Sequence, residues 1–427
     1  MILVINCGSS SVKFAVMEPL EQVMLVSGLA EKLGSDGAEI AIKIGVQKNP
    51  TPRRSWKDAS GSLIKIEDYQ KEVYQLGNAG HTEALAKLVE VLKAHGLLDE
   101  LTAVGHRVVH GGSYFSDSAV ITPEIIEKVT ECNVIAPLHN PANLLGIEVA
   151  TAQLPNLPQV AVFDTSFHQT MPDYSYLYAT PRSWEKDHHV RRYGFHGTSH
   201  RFIAIKTAEL LNKPLSDLNI ICAHMGNGSS ICAIKGGESM DTSMGFTPLP
   251  GLIMGTRSGD IDPALITYMA ERLNTDAQGV IDILNKKSGL LGVSELTNDM
   301  RELTEAATKG HEGAQLAVEM FCYRVAKYVA EYMVPLQRLD ALVFTGGIGE
   351  NSAIVREKVL AHLRFLGFIV DPAVNDKTYG GKTTVITTAG STRAMVVNTN
   401  EELMIAMDTH QLTRTSGSVK SVSFENY

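Results

Sequence analysis

The sequence predicts an α/β protein of two domains, and three observations carry that expectation. The chain has 427 residues, more than one hydrophobic core ordinarily organises. Short apolar runs are repeatedly followed by turns rich in Gly, Ser and Asn, the pattern of strands that end in loops. One arrangement, strand then Gly/Ser/Asn turn then strand, occurs near the start and again near the middle of the chain, as a duplication would leave it.

The first copy runs from Ile2 to Ile5 into Asn6-Cys7-Gly8-Ser9-Ser10-Ser11, with Val12 to Met17 and Met24 to Gly28 as the next strands. The stretch NPTPRRSWKDASGS, Asn49 to Ser62, combines Pro, Gly, Ser and charge without a period and is expected to be an exposed loop. From Thr82 to Gly96, Leu85, Leu88, Val89 and Leu92 recur at helical spacing, with Thr82 expected as N-cap and Gly96 as C-terminal cap. Ala103 to Val109 and Val160 to Phe163 are further strands, the second ending at Asp164.

The second copy opens with the strand Asn219 to Ala223, passes through His224-Met225-Gly226-Asn227-Gly228 and continues as Ile231 to Ile234. Phe321, Val325, Tyr328, Val329 and Tyr332 share one face of a predicted helix, and that stripe is assigned to the core. The strand Leu342 to Thr345 enters Gly346-Gly347-Ile348-Gly349-Glu350-Asn351, with a helix expected from about Ser352 to Leu366. The residues after Leu412 are polar and expected to form a tail.

Composition removes several classes of function. A formal charge of −9, from 47 acidic and 38 basic residues, has the wrong sign for neutralising a phosphate backbone, so nucleic acid is not expected as a partner. Five scattered cysteines without a CxxC pair argue against a disulfide framework or structural zinc and suit a reducing cytoplasm. The first residues carry no basic n-region and the apolar run stops at Asn6, so neither a targeting segment nor a membrane association is expected.

Three glycine-rich turns, each after an apolar strand, offer clustered backbone N–H groups to a polyphosphate. Singly, each is as well read as a tight hairpin; together they point to a nucleotide. No G-x-x-x-x-G-K-[ST] run and no protein-kinase motif set is present. Asp164 stands at the carboxyl edge of a strand, where α/β proteins bind ligands. Arg107 in HRVVHGG and Arg257 in GTRSGD lie beside glycines, two cations suited to an anionic transition state. His106/His110 and His196/His200 have i,i+4 spacing, but Gly111, Gly112 and Gly197 weaken helices there and no HExxH glutamate exists. A phosphate-facing imidazole fits better than a metal pair.

In order along the chain, VINCGSSSVKF, GHRVVHGG, APLHNPAN, VFDTSFHQTMP, RRYGFHGTSH, HMGNGSS, DTSMGFTPLPGLIMGTRSGDIDP, SGLLGVSEL, FTGGIGENS and TNEEL resemble the acetate kinase family. The resemblance implies two ribonuclease-H-like (actin-like ATPase) domains related by duplication, with an interdomain nucleotide cleft. The domains it implies are residues 1–165 with about 399–427, and residues 166–398. It implies reversible transfer of the γ-phosphoryl group from ATP to acetate, giving ADP and acetyl phosphate, with Mg2+ or in its place Mn2+, in a homodimer. The alternatives are a propionate or butyrate kinase and, in another class, an actin- or Hsp70-like ATPase switch.

Carried over by position, the resemblance associates Asn6 and Glu401 with the metal and puts Ser9, Ser11 and Lys13 in the first phosphate loop. It makes Arg107, Arg257, His196 and Asp164 catalytic, with Arg107 also on the substrate carboxylate. His224, Met225, Gly226, Asn227 and Gly228 become the second phosphate loop. Asp299, Met300 and Arg301, with Gly346, Gly347, Ile348, Gly349 and Glu350, would contact the nucleotide. Val109, Leu138, His139, Phe195 and Pro248 would surround the acyl group, and β-branched Val109 favours a methyl over a longer chain. Acetate is already ionised at neutral pH, so such an enzyme needs positioning and charge stabilisation rather than a general base.

Overall fold

The structure is a computed structural model that describes residues 1–46 and 68–414. The expected loop from Asn49 to Ser62 and the part of the expected tail beyond Arg414 lie outside the described residues. The chain divides into two units, one of Met1–Ser166 with the chain from Asn400 on, the other of Phe167–Thr399.

The first unit holds β1 (Ile2–Cys7), β2 (Val12–Glu18), β3 (Val23–Glu31), β4 (Ala38–Val46), β5 (Asp68–Gly77), β6 (Ala103–Val108), β7 (Ala119–Val120) and β8 (Gln159–Phe163). They form one sheet in the order β5-β4-β3-β2-β1-β6-β8-β7. The strands from β1 to β5 pair antiparallel, whereas β1, β6 and β8 run parallel. β1 and β8 are apolar almost throughout because both faces of the sheet are covered. Leu3, Ile5, Phe14 and Val16 pack with Leu85, Leu88 and Leu92 of the helix His81–Ala94 on one face.

The helix Glu401–Arg414 packs against β1, β2, β6 and β8. A Cβ at Gly105 would stand 2.3 Å from Thr409 Oγ1 and 2.8 Å from Ile405 Cγ2, so glycine is what lets this helix lie against β6. The helix also takes up Leu412 to Arg414, which the sequence assigned in part to the tail.

The second unit holds β9 (Asn219–Met225), β10 (Ser229–Lys235), β11 (Glu238–Thr242), β12 (Ala341–Thr345), β13 (Thr384–Val385) and β14 (Ala394–Val396), in the order β11-β10-β9-β12-β14-β13. Strand alternation divides its core. Ile221, Ala223, Leu342 and Phe344 meet Phe321, Val325 and Val329 of the helix Glu312–Glu331 on one face. Ile220, Cys222, Ala341 and Val343 meet Ile203 and Ala204 of the helix Gly197–Leu211 on the other.

The order β3-β2-β1-β6-β8 and the order β11-β10-β9-β12-β14 are the same, with the same antiparallel and parallel senses. The duplication expected from the two strand-turn-strand segments is therefore present as topology. Phe321, Val325, Val329 and Tyr332 are buried, as the core assignment required. Thr82 is not an N-cap: the helix starts at His81, because Glu83 Oε2 accepts from the Gly80 N–H at 2.8 Å one residue earlier. All five cysteines are buried and free. Among the described residues no helix is long and apolar enough to cross a membrane.

Candidate active site

In the first unit the carboxyl ends of the parallel strands bring three predicted residues together. Asn6 is the penultimate residue of β1, Arg107 that of β6, and Asp164 follows β8. Arg107 donates from Nε to Asp164 Oδ1 at 3.1 Å and from Nη2 to Oδ2 at 2.5 Å, while Nη1 reaches Asn6 Oδ1 at 3.3 Å. Asp164 is 1% exposed, so this two-pronged pair is what makes its burial tolerable. Burial works against the Arg107 charge, but Asp164 and Glu401 outweigh it and hold the guanidinium above its ordinary pKa.

Glu401 begins the last helix. Burial pushes its carboxyl up to about 7; Arg107 opposes the rise, and Asp164 and Glu402 add to it. Lys13, opposite Asn6 on β2, forms an ion pair with Glu402. Two residues to which the sequence gave no role fix this edge. Asn143 accepts from the Val109 N–H at 3.0 Å and donates to the Cys7 carbonyl at 2.8 Å, and Asn140 bonds both the N–H and the carbonyl of His110.

The second unit brings together His196, His224, Asn227, Gly228 and Arg257. His196 precedes the helix Gly197–Leu211 in a left-handed conformation, φ 58°. A Cβ at Gly228 would stand 3.4 Å from His196 Nε2 and 3.7 Å from Arg257 Nη1, so both nitrogens converge on that glycine. The His196 and His224 rings lie 4.4 Å apart, and His224 Nδ1 bonds Ser199 Oγ at 2.8 Å. Arg257 Nη1 reaches only the Pro248 carbonyl at 3.4 Å and Met254 Sδ at 3.6 Å, with no carboxylate partner among the described residues. Burial pushes its pKa down.

The glycine turns are held from behind. Asn227 is fixed through its carbonyl, which accepts from the Gly255 N–H at 3.0 Å, and its Oδ1, which accepts from Asn298 at 3.1 Å. The turn after β12 is itself a short helix, Gly346–Asn351, earlier than the expected start, followed by the helix Ala353–His362. Glu350 Oε1 accepts from the Gly346 N–H at 3.0 Å, Thr345 Oγ1 at 3.2 Å and the Thr399 N–H at 3.0 Å, so this carboxylate organises the turn. Arg356, fully buried, donates to the carbonyls of Gly349, Glu350, Asn375 and Thr378 and to Asn375 Oδ1; burial pushes it down to about 10.

The remaining predicted residues are dispersed. Ser9 is exposed and Ser11 half-buried in the turn closed by the Gly8 N–H to Ser11 carbonyl bond of 2.8 Å. Asp299 caps the helix Met300–Thr308 and binds Arg301, which holds its carboxyl down to about 2, while Met300 is buried in the core. Val109 is buried and Leu138 and His139 are exposed in the first unit; Phe195 is buried and Pro248 half-buried in the second. Phe195 is held through its carbonyl by His168 Nε2 at 3.0 Å. Asn140, Asn143, Arg356 and Ser230 are the functional supports that sequence reasoning missed; Asn140 and Asn143, inside the quoted APLHNPAN run, and Ser230, at the end of the quoted HMGNGSS run, carried a signal, and Arg356 carried none.

Comparison with known proteins agrees with this architecture. Acetate kinase of Chromobacterium violaceum is 51% identical over 411 residues, covering 96% of this chain and 98% of that protein. The crystal structure of Porphyromonas gingivalis acetate kinase superposes with a TM-score of 0.86 at 44% identity, covering 96% of this chain and 99% of that one. A propionate kinase from Francisella tularensis gives 0.87 at 45% identity, with the same 96% and 99% coverage. Two α/β units with one repeated strand order, and relatives of this kind, make the chain a phosphotransferase. It belongs to the acetokinase family, which it matches over residues 1–63 and 54–407.

Proposed function

We infer that this chain is an ATP-dependent acetate kinase, which reversibly transfers the γ-phosphoryl group of ATP to a carboxylate oxygen of acetate. The observation that carries the reading is the convergence of His196 Nε2 and Arg257 Nη1 on Gly228, with Arg257 lacking any carboxylate partner among the described residues. A guanidinium left without a counter-ion and an imidazole beside a glycine turn suit an incoming phosphoryl group, whose charge they stabilise as it moves. Arg107 is assigned to the acetate carboxylate, with Asp164 holding its orientation. The oxygen of acetate attacks phosphorus in line while the bond to the ADP oxygen breaks, and no proton has to be removed first.

Asn6 and Glu401 would hold Mg2+, and both are the hard oxygen donors that ion requires, as Mn2+ also would. Burial first, and then the nearby Asp164 and Glu402, raise the pKa of Glu401, and a cation there would stabilise the ionised carboxylate. Phosphate and water would supply the other oxygens of the ion. When bound, it neutralises charge on the phosphate oxygens. Two copies are expected to pair, since no residue of the helix Ala264–Leu273 is buried and Leu265, Tyr268 and Leu273 are each about half exposed. The cytoplasm is the expected location.

The Francisella relative favours propionate as a second acid. ADP release from Mg-ATP with acetate, propionate, butyrate or no acid, with acyl phosphate trapped by hydroxylamine, tests both. Acetate should turn over fastest and propionate roughly 10–200-fold more slowly, as one methylene discriminates. Hydrolysis that needs no acid and yields no trapped product would replace the reading with an ATPase switch.

A further inference from the structure

The role of His196 given above needs a proton on Nε2, the nitrogen that faces Gly228 and Arg257, and the inference that follows rests on that reading. A neutral imidazole carries one ring proton, and the partner of one nitrogen decides whether the other holds it. His196 Nδ1 lies 3.0 Å from Ser230 Oγ, and the same oxygen lies 2.7 Å from His200 Nε2. The i,i+4 pair that resembles a metal pair in the sequence thus grips one hydroxyl. Ser230, buried in β10, has a single hydroxyl proton and can donate to only one of the two rings.

The direction is set at the far end. His200 is fully buried, and its Nδ1 has no hydrogen-bond partner among the described residues. An N–H at that nitrogen would be a buried donor with nothing to bond, whereas a bare lone pair is the lesser loss. His200 therefore carries its proton on Nε2 and donates to Ser230 Oγ. Ser230 is then left to donate to His196 Nδ1, and the His196 proton must sit on Nε2. We propose that His200 and Ser230 form a one-way hydrogen-bond relay that holds His196 in its Nε2–H form, which makes both of them positioning residues of the phosphoryl site. Burial keeps His200 well below the ordinary imidazole value, so it stays neutral in this arrangement.

The test is 15N NMR of the nucleotide-free, full-length protein labelled at histidine, with the His196 signals assigned through His196→Gln. The wild type should show His196 protonated at Nε2 and bare at Nδ1. Ser230→Ala should leave a mixture of both forms and lower kcat roughly 10–100-fold, the cost of losing the outer partner of a functional histidine, with KM for acetate unchanged. His200→Gln, whose side-chain amide also donates, should keep the Nε2–H form. A wild-type His196 protonated on Nδ1 overturns the relay, and so does a Ser230→Ala protein that remains purely Nε2–H. Both readings come from the resting protein, so they decide the relay even where the trapping assay finds no acyl phosphate and the functional reading itself fails.

Discussion

Arg107 in the first unit and Arg257 in the second are both partly buried arginines near glycines, yet only Arg107 has carboxylates around it among the described residues. Arg107 uses Nε and Nη2 on Asp164, with Glu401 and Glu402 near enough to hold its charge in place. Arg257 has a carbonyl, a thioether and imidazole neighbours, and burial lowers its pKa with no opposing carboxylate. The same strand order therefore carries a carboxylate-rich edge in one copy and, in the other, an edge of imidazoles with one arginine that has no carboxylate partner among the described residues. The first suits a metal ion and the orientation of a guanidinium, and the second suits a phosphoryl group. Duplication supplied the scaffold, and divergence at the strand ends supplied the division of labour.

The largest expected effect on stability comes from breaking the paired side. Arg107→Ala leaves Asp164 as a buried carboxylate without its partner, which should cost roughly 3–5 kcal/mol in urea denaturation. Adding Asp164→Ala should restore much of that loss; if it restores none, the pair is not what stabilises the edge. Arg356→Met should cost about 3 kcal/mol, since it strands four carbonyls and the Asn375 side chain, and should raise KM for ATP more than KM for acetate. An equal rise in both would argue against a nucleotide role for the turn whose Gly349 and Glu350 carbonyls Arg356 holds.

A smaller effect is shared by both units. Burial lowers His106 in the first and His168 in the second to about 4, from an ordinary 6.5. Their folded-state values are depressed, so the unfolded chain takes up protons first as pH falls below 6.5, and stability declines down to about pH 4. Each contributes a slope of about 1.4 kcal/mol per pH unit inside that window, and His106→Gln should remove one such contribution from denaturation measured across it. The smallest effect is Glu350→Gln, which keeps an acceptor oxygen for Gly346 and Thr399 and should cost less than about 1 kcal/mol.

The legible parts of the molecule are those that local chemistry writes into consecutive residues. Asp164 was findable because it ends an apolar strand, and the turns at Gly226–Gly228 and Gly346–Gly349 because their glycines cluster directly after apolar strands, in one case at a position only glycine fits. Gly346, for example, has φ +75° and a Cβ there would meet the Met225 carbonyl at 2.7 Å. The supports were not findable in this way. Asn143 acts on Cys7, 136 residues away, and Arg356 on Asn375 and Thr378, so their roles exist only once the chain has folded. His200 was visible as a histidine at i,i+4 from His196, but the serine they share lies 30 residues on. The cap at Gly80 was missed because a glutamate that reaches back can start a helix without a hydroxyl residue at its N-cap.

The most direct test of the contrast between the two arginines is to measure acetate-dependent acetyl phosphate formation and Tm on the same preparation of Arg257→Ala. Loss of this unpaired donor should lower kcat roughly 100- to 1000-fold. Tm should stay within a few degrees of wild type, because no buried carboxylate loses its partner. A protein that keeps near-full kcat, or that unfolds as Arg107→Ala is expected to, would contradict the assignment of Arg257 to the phosphoryl group.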